Sequence, residues 1–260
     1  MRNMPAIKKE ERSDSIQVIE RLARLLDVIA VHEDPVSLKI LSAETGLHPS
    51  TAFRILASLA EQGFVERTTR GNYQLGVKLM QLGSRVSSSV DIRKVALPLM
   101  EQLRDRLGET VNLTVREGDE VVYIERTLAK RMIRVEQVIG SRAPLHVTAV
   151  GKLMLGEQGE AACRSYAKLS KLPAYTINTH TKITALLKEC IAATKHGYAL
   201  DNEEAELGVG CIGTLIRDAS GHVVGGLSVS APIERRRDEW IAQVMETGEQ
   251  ISKQLGYHAA

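Results

Sequence analysis

One helix start gathers the residues best suited to touch nucleic acid. In Pro49-Ser50-Thr51-Ala52-Phe53-Arg54-Ile55-Leu56, the signal Pro49-Ser50-Thr51 opens an apolar-periodic helix that stops at Gly63. Ala52, Ile55, Leu56 and Leu59 share a face and are expected to pack inward, turning Ser50, Thr51, Phe53, Arg54, Ala57 and Ser58 outward. Ser50 and Thr51 offer hydroxyls and free helix-start amides to phosphate oxygens. Arg54, one turn in, can present its planar fork to guanine O6 and N7, worth roughly 1–3 kcal/mol of base discrimination. Phe53 suits a thymine methyl, and Arg70 a minor groove or a phosphate.

A second cluster suits a small anion. From Pro144 an extended run is expected to end at Thr148, an N-cap residue, and the following amides of Ala149, Val150 and Gly151 are placed to bind a carboxylate. Asp201 lies in a charged, glycine-rich run (197–213) expected to be a loop that feeds a buried strand at Cys211-Ile212. Ser228 and Ser230 are two apart and share a sheet face. Two hydroxyls converging with Cys211 and the Thr148 helix start make a small polar pocket in an apolar domain. The competing chemistry is hydrolytic, with Cys211 or Ser228 as nucleophile and His146 as base. It lacks a nucleophile turn of the G-x-S-x-G kind and a residue to orient the histidine.

The elements around these clusters follow from periodicity. A helix from Ser15 to about His32 precedes the break Thr45-Gly46-Leu47, and residues 64–75 alternate on both sides of a turn near Arg70-Gly71-Asn72. Helix, helix-turn-helix and hairpin together make a winged helix, whose second helix lies in a major groove. Leu79 to Leu107 reads as helix with a serine-rich weak point at Ser87-Ser88-Ser89. Beyond Thr110, strands are expected at Val111–Val115, Val121–Ile124 and Met132–Val138, and a hairpin at Cys211–Ile216 and Val223–Ser230. Helices are expected at Val150–Leu155 and Ala185–His196, and a last one carries Ile241, Val244, Gly248, Ile251 and Leu255 on one face. The fold class is α+β. Its parts are an N-terminal arm (1–14), a winged helix-turn-helix domain (15–76), a connecting helix (77–92) and an α+β second domain (93–260) that carries the anion cluster.

Composition narrows the function classes. The 260 residues suffice for two modest domains, and the net charge of +2 leaves any basic surface local to Lys39, Arg54, Arg67 and Arg70. At 3% aromatic residues, a platform that stacks single-stranded bases is not expected. Cys163, Cys190 and Cys211 are odd in number and widely spaced, which gives neither a disulfide framework nor a metal site. No apolar run approaches the ~20 residues of a membrane span and no secretory signal is present, so a cytoplasmic location is expected, with no cofactor. The run Arg235-Arg236-Arg237 reads as a solvated helix start without a role.

Four blocks resemble the isocitrate-lyase-regulator (IclR) family of bacterial transcription factors. They are Leu47 to Leu56; His146-Val147-Thr148-Ala149-Val150-Gly151-Lys152; Asp201-Asn202-Glu203-Glu204 with Gly208 and Cys211-Ile212; and Leu227-Ser228-Val229-Ser230-Ala231-Pro232. The resemblance implies a GAF-like C-terminal domain that binds a small organic or aromatic acid. It also implies operator binding as a homodimer or dimer of dimers, without catalysis. Carried over by position, Ala149, Val150, Asp201, Cys211, Ser228 and Ser230 would line the effector pocket. With the neighbouring motif residues, the candidates are His146, Thr148, Ala149, Val150, Gly151, Asp201, Cys211, Ile212, Ser228 and Ser230. A constitutive DNA-binding protein without an effector is the alternative.

Overall fold

The N-terminal elements are short helices whose ends the sequence marks clearly. The computed structural model describes residues 17–87 and 91–258, and the chain divides into two compact units, 1–89 and 90–259. The expected arm lies outside the described residues, as do Ser88 and Ser89 of the serine-rich stretch. The first unit runs α1 (Gln17–Val31), α2 (Leu38–Thr45), α3 (Pro49–Glu61), β1 (Val65–Arg67), β2 (Tyr73–Leu75) and α4 (Val77–Ser87). Ser37 caps α2 by accepting the Ile40 N–H at 3.4 Å, and Gly46, at φ 68°, ends it in the left-handed conformation that glycine tolerates best. Leu25, Ile29, Leu41, Ala52, Leu56 and Leu59 close the core between α1, α2 and α3. Val65 and Tyr73 seal the hairpin against it, and Val36 pairs with Tyr73 as a third short strand through two hydrogen bonds of 2.8 Å.

The second unit begins with α5 (Ile92–Leu107), capped by Asp91, and continues β3 (Thr110–Glu117), β4 (Glu120–Thr127) and β5 (Arg142–Pro144). Three helices follow, α6 (Ala149–Glu157), α7 (Gly159–Ser170) and α8 (Ile183–His196). The chain closes with β6 (Tyr198–Asn202), β7 (Val209–Arg217), β8 (Val223–Pro232) and α9 (Trp240–Gln254). The strands form one antiparallel sheet in the order β5-β4-β3-β8-β7-β6. Side chains alternate across it. Leu113, Ile212, Ile216 and Leu227 meet Met100 and Leu103 of α5 and Val244 and Ile251 of α9 on one face. On the other, Val121 and Leu215 meet Val150, Met154 and Leu155 of α6, backed by Tyr166 of α7 and Leu186 of α8. This is an α+β domain with helices on both faces of a curled sheet.

The structure corrects the sequence reading in four places. The run read as a loop from Gly197 begins as strand β6, which pairs antiparallel with β7 and so places Asp201 opposite Cys211. Met132–Val138 alternates but is not a strand: β5 takes the edge of β4, through Val121↔Ala143 and Val122↔Arg142, and leaves Met132, Ile133 and Val138 exposed. Helix α7 was not expected between Leu155 and Ala185, because only Cys163 and Tyr166 of its twelve residues are buried and the apolar stripe is thin. The run before Thr148 is not extended throughout, since Leu145–Val147 coils into a turn of 3-10 helix.

Candidate functional site

In the first unit the outward face of α3 is the one expected. Ala52, Leu56 and Leu59 are buried, whereas Ser50, Phe53, Arg54, Ala57 and Ser58 are exposed and Thr51 is half-buried. Thr51, Arg54 and Ser58 run along the α1 side of the helix and share a groove with Val18 and Arg21. Phe53, 44% exposed, projects from the same outward side of the helix. Arg70 is exposed at the tip of the β1–β2 hairpin, where Gly71 takes φ 85°. Arg67 folds back instead, its guanidinium reaching the Gly71 carbonyl and lying over the Tyr73 ring.

The helix start itself differs from expectation. His48, not a hydroxyl residue, is the N-cap: its Nδ1 lies 2.8 Å from Ser50 Oγ and accepts the Ser50 N–H at 3.4 Å. Pro49 has no N–H, and the Thr51 amide donates to the His48 carbonyl at 2.9 Å. These amides are therefore engaged, and the face meets its target through side chains.

In the second unit α6 rests on β7 and β8. The approach is close enough that a Cβ at Gly226 would stand 2.1 Å from a Val150 methyl, so only glycine fits. Thr148 Oγ1 accepts the Gly151 N–H at 3.1 Å, and the first intrahelical bond runs from the Lys152 N–H to the Thr148 carbonyl. The amides of Ala149 and Val150 are left as the open donors of the helix start. Both residues line a narrow cavity of about 70 Å³, whose polar lining includes Thr148, Asp201, Cys211 and Ser228. Ser230 lies just beneath, its hydroxyl 3.2 Å from Cys211 Sγ and accepting the Asn112 amide at 3.1 Å.

Burial weakens the tendency of the groups facing that cavity to ionise. Burial pushes the Asp201 carboxyl up to about 6, although it accepts the Glu204 N–H at 2.8 Å. Burial, with the Asp201 charge, also raises the Cys211 thiol far above its ordinary range, so Cys211 is a packing and hydrogen-bonding group rather than a nucleophile.

Three candidate residues lie elsewhere. The His146 ring is buried between Tyr166, with Nδ1 2.8 Å from the phenol oxygen, and the Pro173 carbonyl, 3.1 Å from Nε2. It is not among the residues lining the cavity, so the base required by a hydrolase built on Cys211 or Ser228 is not in place. Ile212 points to the opposite face of the sheet, into the α5–α9 core, because it alternates with Cys211. Gly151 spends its amide on the Thr148 cap. Nor is the arginine run idle: Arg235 pairs with the buried Glu109 at 2.7 Å, and Arg236 donates to the Asp201 carbonyl and to Asn202.

The sequence reading missed part of the lining. Thr114, Val121 and Tyr123 face the cavity from β3 and β4, and Gln137 from the loop, its Oε1 buried without a partner among the described residues. Period-two alternation from Val111 would have put Thr114 on the side opposite the core. Also missed was the Lys152–Glu204 ion pair, fully buried with Nζ 2.5 and 2.7 Å from the two carboxylate oxygens. It ties α6 to the loop after β6, whose Ala205 and Glu206 rim the cavity.

Comparison with known proteins agrees with both units. The IclR helix-turn-helix domain matches residues 18–69, and the bacterial transcriptional regulator IclR C-terminal domain matches residues 84–255. The HTH-type transcriptional regulator XynR of Escherichia coli is 34% identical over 251 residues, 94% of this chain and 99% of that protein. The Agrobacterium tumefaciens repressor BlcR is similar in structure at a TM-score of 0.76 and 30% identity, covering 95% of this chain and all (100%) of that one. An IclR homolog of Microbacterium hydrocarbonoxydans, complexed with 4-hydroxybenzoate, gives 0.59 at 27% identity, over 92% of this chain and 98% of that one. With a reading helix, a wing and matches across both units, the chain belongs to the IclR family of helix-turn-helix transcriptional regulators.

Proposed function

We propose that this regulator responds to a small organic acid, held in the cavity of the second unit, by changing its affinity for operator DNA. The observation that carries the reading is the start of α6: Ala149 and Val150, whose amides the Thr148 cap leaves open, line a narrow polar cavity with Asp201, Cys211 and Ser228. Open amides at a helix N-terminus suit a carboxylate. Asp201, raised to about 6 by burial, takes up a proton more easily than a free carboxyl, and in that form it donates to the ligand carboxylate instead of repelling it. At about 70 Å³ the cavity matches the head of such an acid, and the rim loop at Ala205 and Glu206 must yield to admit a ring. The 4-hydroxybenzoate bound to the Microbacterium relative is an acid of this kind.

Ser50, Thr51, Phe53 and Arg54 would meet the major groove, and Arg70 the adjacent backbone or minor groove. We further propose a homodimer or dimer of dimers, since two-fold operators call for two reading heads, with residues 77–92 as connector and the cytoplasm as the place of action. No helix among the described residues is long and apolar enough to cross a membrane.

Capture of genomic fragments by the purified chain, with and without a panel of carboxylic acids, tests the reading. A few two-fold symmetric sites, with retention altered by one acid, are expected. Thermal unfolding identifies the acid, since a ligand at 100 times its dissociation constant adds about 2.7 kcal/mol to the native state. Sites retained identically with every acid, and no thermal shift, would leave a constitutive DNA-binding protein.

A further inference from the structure

Hydropathy alone would arrange the loop between β4 and β5 the other way round. Val138 and Ile139 stand 65% and 50% exposed, and Met132 and Ile133 are exposed as well, while Gln137 among them is half-buried and lines the cavity. Solvent would favour the valine and isoleucine turned in and the amide left in water. Gln137 Oε1 is instead closed off from solvent, with no hydrogen-bond partner among the described residues. An acceptor in that state costs stability. Local patterning that runs against the solvent is expected where a residue serves a ligand.

The position is held from both sides. The Arg126 guanidinium donates to the Gln137 carbonyl and pairs with Glu136 at 3.0 Å, and Arg134 pairs with the same carboxylate at 3.2 Å. Just beyond, Ser141 Oγ donates to the Val138 carbonyl at 2.6 Å, and the Gly140 N–H to the Tyr123 carbonyl at 2.7 Å. None of these bonds uses the Gln137 side-chain amide. The cavity therefore combines open donors at the start of α6 with an orphaned acceptor from the loop.

We propose that Gln137 is a specificity-determining residue of the effector site, accepting a hydrogen bond from a hydroxyl that the acid carries apart from its carboxylate; this rests on the reading above for the carboxylate end. The effector class is then a hydroxy acid. With the Arg126 guanidinium already on the same residue, the donor that fits is neutral rather than cationic. An acid without the hydroxyl leaves Oε1 orphaned, and a site with a buried polar group left unpaired rejects such an analogue.

The test is binding by the full-length chain, followed by thermal shift and titration calorimetry. The probes are ω-hydroxy acids of increasing length and the hydroxybenzoates, each beside the acid lacking the hydroxyl and the alcohol or phenol lacking the carboxyl. One hydroxy acid is expected to bind the wild type about tenfold more tightly than its parent acid. Gln137→Leu should bring the two to equal affinity, with its unliganded midpoint unchanged or raised, because an orphaned acceptor is gone. Parent acids that bind the wild type as tightly as their hydroxy partners overturn the proposal and leave the carboxylate reading standing. An alcohol or phenol that binds as well as its acid, and is lost in Gln137→Leu, supports Gln137 and overturns the carboxylate reading instead. Binding of no probe overturns both. A lowered unliganded midpoint in Gln137→Leu, with the preference for the hydroxy acid kept, would make Gln137 a structural residue. The wild-type comparison needs no variant, so it stands even if Gln137→Leu does not fold.

Discussion

Two helix starts in this molecule carry similar sequence signals and end up as opposite kinds of site. At α3, Pro49 removes one donor, His48 occupies the next two amides, and the helix is left to act through exposed side chains. At α6, Thr148 claims only the Gly151 amide, and Ala149 and Val150, with their amides left open, line a narrow cavity. The residues after the cap decide the outcome: a proline closes the end of α3, whereas small residues and two facing glycines on the sheet let α6 bring its open end against buried polar groups. The consequence is energetic. Exposed side chains on α3 keep their water, so their role in binding is separable from folding. The groups behind α6 are desolvated, so each also bears on stability.

The largest test of that contrast is Lys152→Met. It leaves Glu204 buried at 2% exposure without its cation, and removing one partner of a buried pair costs roughly 3–5 kcal/mol. Denaturant unfolding of the purified chain should show that loss. Adding Glu204→Leu should recover much of it, because two apolar groups of similar size leave no orphaned charge. A single variant within about 1 kcal/mol of wild type would mean that the loop relaxes and hydrates Glu204, and the contrast would weaken.

Asp201 gives a smaller and pH-dependent version. Its folded-state pKa is raised by burial from 3.8 to about 6. A raised carboxyl contributes stability that is fully present below the unfolded pKa, near 4, and lost as pH rises through the folded value, near 6. Asp201→Asn has no charge to bury and can still accept the Glu204 N–H. The stability of the variant relative to wild type should therefore grow between pH 4 and 6 and level off above, by at most about 3 kcal/mol. A flat difference across that window would show Asp201 to be solvated in the folded chain.

Much of the architecture was legible because it is local. Ser37, Gly46 and Pro49 punctuate the helix-turn-helix, and the alternation in β7 and β8 follows the sheet's two faces. What the sequence hid is set by distant partners. Cys211-Ile212 looked like one block of a site, yet a period of two sends Ile212 into the other core. His146 sits within the motif that heads α6, but Tyr166, on a helix the sequence barely announces, captures its ring. Lys152 and Glu204 were both in quoted motifs, and only the fold shows that they meet. The Met132–Val138 alternation was a true pattern without a free sheet edge to join.

The smallest effect on folding, and the sharpest on recognition, is expected from Arg54→Ala. Arg54 is exposed on the outward stripe of α3 with Thr51 and Ser58, and its loss removes no buried contact. Unfolding free energy should stay within about 0.5 kcal/mol of wild type. If its guanidinium reads a guanine edge, affinity for the captured operator should fall by roughly 1–3 kcal/mol and discrimination at that base pair should relax. If it holds a phosphate instead, affinity should fall about equally for operator and unrelated DNA, and the salt dependence should lose about one unit of slope. A drop in stability as large as that of Lys152→Met would break the contrast from the other side: the groove that Arg54 shares with Val18 and Arg21 would then be part of the domain's core rather than a free edge of its reading face.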